Sequence, residues 1–117
     1  MKARHKNHPP DGRDMARFIN RPNFIYSNLD NITRVVCRHF SMTAAQIKTA
    51  TRKRRILEPR QIAMYLCKQN TKNTLEEIGD YFGFDHSTVS HSCKAIGSLI
   101  EVDKDLATTV EQIRLKL

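Results

Sequence analysis

Apolar residues recur along this chain at intervals of three and four rather than two, a spacing that predicts helices and no sheet. The first clear stripe is Leu29, Ile32, Val35 or Val36, and Phe40, one side of an amphipathic helix. Thr43 then offers an N-cap to a short second helix holding Ala44, Ile47 and Ala50. Pro59 suits the first turn of a third helix, where a missing N–H costs nothing. Ile62, Ala63, Leu66 and Cys67 give that helix its apolar stripe up to an end near Asn70. Thr74 and Glu77 form a T-x-x-E capping box ahead of Leu75, Ile78 and Phe82, so a fourth helix starts at Thr74 and stops at Gly83. Asp85 caps a fifth, in which Val89, Cys93, Ile96 and Ile100 step along one side. Asp103 caps a sixth with Leu106, Val110, Ile113 and Leu117 at the same spacing.

The ground ahead of Leu29 differs. Residues 1–27 carry Lys2, Arg4, Lys6, Arg13, Arg17 and Arg21 against Asp11 and Asp14, and Pro9, Pro10, Asp11 and Gly12 fall in a row. This composition reads as a basic, mostly flexible arm, with at most one helical turn over residues 14–19 before Pro22 interrupts it. The expected architecture is therefore all-α: about six helices over residues 28–117, preceded by that arm. A chain of 117 residues is the usual size of one domain.

Charge narrows the function. Lys and Arg number 20 against 12 Asp and Glu, a formal net charge of +8 that favours a polyanionic partner. The longest apolar runs, such as residues 62–66, fall far below the roughly 20 residues that span a bilayer. No apolar segment follows the charged first residues, so a cytoplasmic protein is expected. Membrane-surface binding fits poorly, because the cations gather in a loop and an arm rather than along one apolar-backed helix. RNA binding is disfavoured by 7% aromatic content without a stacking cluster.

Cys37, Cys67 and Cys93 lie far apart with no C-x-x-C pair, which suits neither a disulfide framework nor a zinc site and reads as buried free thiols. His86 and His91 are separated by about 140° around a helix, unlike a zinc-binding i, i+4 pair, and His91 and Cys93 diverge by about 200°. No metal, cofactor or catalytic residue is expected, and the protein is read as a non-enzyme.

Two helices joined by a tight glycine turn, the second opening on small polar residues, is the sequence form of a helix-turn-helix. With Val89, Cys93 and Ile96 inward, residues Ser87, Thr88, His91 and Lys94 or Ala95 point outward. Hydroxyls and an imidazole at that place can read base edges in a major groove, and His86 can meet base or phosphate. The run Arg52, Lys53, Arg54 and Arg55 falls between the expected helices, where an arginine can enter a narrow minor groove, with Arg60 and Lys68 at phosphates.

The stretch from Arg52 through Pro59-Arg60-Gln61-Ile62-Ala63-Met64-Tyr65-Leu66, then L-E-E-I-G-D-Y-F-G from Leu75 and D-H-S-T-V-S-H-S-C-K-A-I from Asp85, closely resembles one family. It is similar to the C-terminal DNA-binding domain (domain IV) of the bacterial replication initiator DnaA, over residues 31–117, a helix-turn-helix fold also like that of Trp repressor. The resemblance implies Arg52 in the minor groove and His86, Ser87, Thr88 and His91 at bases in the major groove. It implies Arg60, Gln61, Thr71, Lys72 and Lys94 at or beside phosphates, and Arg54 and Arg55 of the basic run are expected at phosphates as well. The implied target is double-stranded DNA carrying a short, A·T-rich site akin to the DnaA box.

Three departures stand out. Only Phe84 separates Gly83 from Asp85, where the family has two residues; Ser87 replaces a threonine; and Glu76 replaces a proline that lies near DNA. No G-x-x-x-x-G-K-[ST] occurs in the chain, so ATP-driven origin melting is not expected of it. A repressor, an accessory origin factor or a competitor for the initiator's sites remains, as does a different class: an interaction module that binds a replication or regulatory partner through the arm or last helix without reading DNA. Oligomeric state is open.

Overall fold

Among the residues described by the computed structural model, 24–117, six helices follow one another without a strand. They are α1 (Phe24–Phe40), α2 (Ala44–Ile47), α3 (Arg54–Asn70), α4 (Leu75–Phe82), α5 (His86–Val102) and α6 (Lys104–Arg114).

Local chemistry sets most of the boundaries. Thr43 and Gln46 form a reciprocal capping box at α2, and Thr74 and Glu77 do the same at α4. Asp85 accepts from the Thr88 N–H at 2.9 Å, and Asp103 accepts from the Leu106 N–H at 3.1 Å, opening α5 and α6. Gly83 closes α4 in the left-handed region with φ 85°, where a side chain would be strained.

The core is one layer of apolar stripes meeting around α3. Leu29, Ile32 and Val36 of α1, Ile62, Ala63, Met64, Leu66 and Cys67 of α3, Ile78 and Phe82 of α4, and Val89 and Ile96 of α5 are buried together. Leu106, Val110 and Ile113 lay α6 against the same cluster. The most extensive pairing is α3 with α5. Burying each large side chain contributes about 1.5–3 kcal/mol, so this pairing holds the helix-turn-helix rigidly on α3.

The structure departs from the expected pattern in several places. α1 begins at Phe24, so it takes residues 24–27 from the expected arm; the rest of the arm, with the turn expected at 14–19, lies outside the described residues. α2 ends at Ile47 and leaves Ala50 in the following loop. α3 starts at Arg54, five residues before Pro59, so Pro59 lies inside the helix, where it gives up the bond back to Arg55. On α5, Ser92 is buried at 3% exposure while Cys93 is half-buried, its Sγ donating to the Met64 carbonyl at 3.6 Å. Leu117, expected in the last apolar stripe, is exposed. No helix among the described residues is long and apolar enough to cross a membrane.

Candidate nucleic-acid interface

The glycine turn between α4 and α5 is tight because its backbone folds back on itself. Gly83 N and Phe84 N both donate to the Gly79 carbonyl, at 2.7 and 2.9 Å. Only Phe84 intervenes before Asp85, the N-cap, so α5 begins three residues after the left-handed glycine. The first turn of α5 then carries its short polar side chains outward. Ser87 is exposed, Thr88 partly so, and His91, one turn further on, is exposed, while Val89 beneath them is fully buried.

Asp85 organises this tip. Its Oδ1 accepts from the Ser87 hydroxyl at 2.7 Å as well as from the Thr88 N–H. The Ser87 bond first, and the Thr88 backbone bond next, stabilise the carboxylate and pull its pKa down to about 2.

The loop between α2 and α3 is shaped separately. Thr51 N donates to the Thr49 carbonyl at 2.9 Å, and Lys53 N donates to the Thr51 hydroxyl at 3.2 Å, which curls the chain so that Arg52 is exposed. Lys48, at the loop's start, holds its Nζ 4.0 Å from the centre of the Tyr81 ring. Burial lowers the Lys48 pKa, against the pull of Asp30 and Cys37. The Tyr81 hydroxyl in turn donates to Asp30 at 2.8 Å, and the ring stacks on Tyr26 with centroids 6.4 Å apart.

The α2–α3 loop and α5 meet in one open groove of about 540 Å³. Arg52 lines it from the loop, Gln61 from α3, and Ser87, Thr88 and His91 from α5. Residues 29–96 match the family model described as the bacterial DnaA protein helix-turn-helix.

The chain belongs to the bacterial DnaA helix-turn-helix family.

Among DnaA-type relatives, the chromosomal replication initiator protein DnaA of Bacteroides thetaiotaomicron is 44% identical over 86 residues, 73% of this chain and 18% of the relative. The DnaA of Bacteroides fragilis is 41% identical over 90 residues, 76% and 19% respectively. That of Geobacter sulfurreducens is 37% identical over 106 residues, 86% and 24%. The chain thus spans less than a quarter of the length of these DnaA proteins.

Within this DnaA-type fold the remaining expected residues separate. His86 is exposed at the start of α5, and Lys94 continues the outward stripe of Thr88 and His91. Lys68 lies on the Leu57 and Gln61 side of α3, exposed, and Lys72 is exposed beyond the helix end. Arg54 and Arg55 sit in the first turn of α3 rather than in a loop. Arg54 pairs with Glu58 at 3.1 Å, and Arg55 points about 160° around the helix from Leu57, away from the groove.

Two of the residues expected at phosphates have side chains engaged within the protein. The Thr71 hydroxyl donates to the Cys67 carbonyl at 2.6 Å and accepts from Asn73 N at 3.1 Å, at the end of α3. Arg60 is only 5% exposed, with Nη1 donating to the Thr49 carbonyl at 2.5 Å and Nη2 to the Thr51 carbonyl at 3.2 Å. Both fates depend on carbonyls whose positions a linear pattern does not reveal. The groove also includes Phe84, marked in the sequence only as the single residue of the shortened turn, and the buried Ser92, which the sequence does not single out. The shortened turn was the one signal that could have found Phe84. Among the described residues no group of three or more His, Cys, Asp or Glu gathers to hold a metal.

Proposed function

We propose that this chain binds double-stranded DNA site-specifically, with the start of α5 in the major groove and Arg52 in the adjacent minor groove. The observation that carries the reading is the shared groove: hydroxyl and imidazole side chains on a rigid helix line the same concavity as an exposed arginine from a separate loop. The N–H groups of the first turn of α5 that Asp85 does not occupy remain for a phosphate. Outward polar groups then read bases, and an arginine favours the narrow groove of A·T-rich sequence.

The relatives' name, chromosomal replication initiator protein, supports a role in regulating replication initiation or transcription at short A·T-rich sites of the DnaA-box kind. The role is binding rather than catalysis, in the bacterial cytoplasm at the nucleoid. Lys68, Lys72 and Lys94 supply phosphate contacts around the groove.

Selection of bound duplexes from a randomised library, with a DnaA-box duplex as competitor, tests this reading. A defined A·T-rich consensus is expected, together with an affinity for random duplex that falls steeply as salt rises. Recovery of unselected sequence with a flat salt response would instead support the protein-interaction module.

A further inference from the structure

Arginine in a helix facing water normally extends its head into solvent, so a guanidinium that is almost wholly covered must have its donors and faces occupied. Arg60, 5% exposed, has two of its N–H donors and one ring contact supplied by two other parts of the fold. Its terminal nitrogens donate to the carbonyls of Thr49 and Thr51, the residues just ahead of Arg52. Its Cζ lies over the Phe84 ring, 4.5 Å from the ring centre, and Phe84 is the single residue in the shortened turn between Gly83 and Asp85. One planar group therefore joins α3, the basic loop and the turn of the helix-turn-helix.

We propose that Arg60 is a positioning residue that docks the Arg52 loop against the helix-turn-helix turn, so that the minor-groove and major-groove readers keep a fixed separation. This rests on the DNA-binding reading above. The loop's own bonds, Thr51 N to the Thr49 carbonyl and Lys53 N to the Thr51 hydroxyl, curl it without attaching it to α3. Arg60 supplies that attachment across nine and eleven residues of chain. A fork with five donors can hold two carbonyls and stack on a ring at once; an ammonium, as a point charge, cannot do all three. Phe84 then has a role that accounts for an aromatic residue at the turn: it is the surface on which the fork rests.

Two measurements test the proposal. In the free protein, Arg60→Ala is expected to speed amide exchange at Thr51 and Lys53, the loop's bonded amides, at least roughly tenfold while core amides of α3 and α5 keep their protection. Unchanged exchange at the loop would overturn the proposal. In a binding cycle, Arg60→Ala, Arg52→Ala and the double variant are compared on a selected duplex and on one with G·C beneath the loop. Arg60→Ala is expected to reproduce most of the A·T preference lost in Arg52→Ala, roughly tenfold, and the double variant to be no weaker than Arg52→Ala alone within about twofold. Multiplying losses, with the log–log salt slope shallower by about one for each substitution, would show that Arg60 meets a phosphate itself and overturn the proposal. If Arg60→Ala does not fold, Arg60→Lys and Phe84→Leu pass through the same two measurements under the same criteria. A wild-type chain without any sequence preference would defeat the DNA-binding reading, and the exchange measurement then decides the loop attachment by itself.

Discussion

Gly79 lies directly beneath the Phe84 carbonyl, so close that a Cβ on residue 79 would sit far inside van der Waals contact with that oxygen. The contact is backbone against backbone, and neither side can rotate away. Gly79→Ala is expected to destabilise the domain by about 1–3 kcal/mol through overpacking. Thermal unfolding should show Tm lowered by on the order of 5–15 °C. Because Phe84 must shift, the Arg52-dependent part of DNA binding should weaken more than stability alone explains.

A second expectation concerns acid. The Asp85 pKa is held down to about 2 from an ordinary value near 3.8, first by the Ser87 hydroxyl and then by the Thr88 N–H. A depressed carboxylate contributes stability that is present above the unfolded pKa and disappears as pH falls through the folded one. Asp85→Ala should therefore lower Tm at pH 5 to 7, and the gap from wild type should close between about pH 4 and pH 2. A gap that stays constant down to pH 2 would mean that the cap contributes nothing as a carboxylate.

Base reading is expected to divide by residue. Thr88→Ala and His91→Ala should each cost roughly 1–3 kcal/mol of discrimination at particular base pairs, since both side chains line the groove from the first turns of α5. Lys94→Ala should instead weaken binding to every duplex by a similar factor and flatten the salt dependence by about one phosphate. Titrations against single-substituted duplexes separate the two patterns. Identical site preference in His91→Ala would show that α5 is rotated relative to this reading.

Val89→Asp tests the support beneath those readers. Val89 is completely buried under the exposed tip of α5, in the cluster shared with α3. A carboxylate there has no partner and costs more than the domain's margin of stability, so circular dichroism should show loss of cooperative unfolding.

The parts of this fold that were legible in the sequence are those set by nearest neighbours. Thr74, Asp85 and Asp103 each bond an N–H three residues away, and Ile62, Leu66, Ile78, Val89 and Val110 obey a helical repeat that any packing must respect. The start of α3 was not legible, because Lys53 caps it without a side-chain bond and Pro59 looked like an earlier landmark. Ser92 and Cys93 exchange places because adjacent residues differ by only about 100° on a helix, and the rotation of α5 on α3 decides between them. Arg60 was read as a surface cation because its identity says nothing about Thr49, Thr51 and Phe84 folding over it. The groove itself was legible only as two separate halves, Arg52 on one and Ser87, Thr88 and His91 on the other.

The short bond from Ser87 to Asp85 fixes what that hydroxyl can offer an incoming duplex. Its single hydrogen already faces the protein's own carboxylate, so only lone pairs remain on the outer side. In the proposed major-groove docking, a base presenting an amino group there, adenine or cytosine, is expected to complement that oxygen better than the acceptor atoms of guanine or thymine.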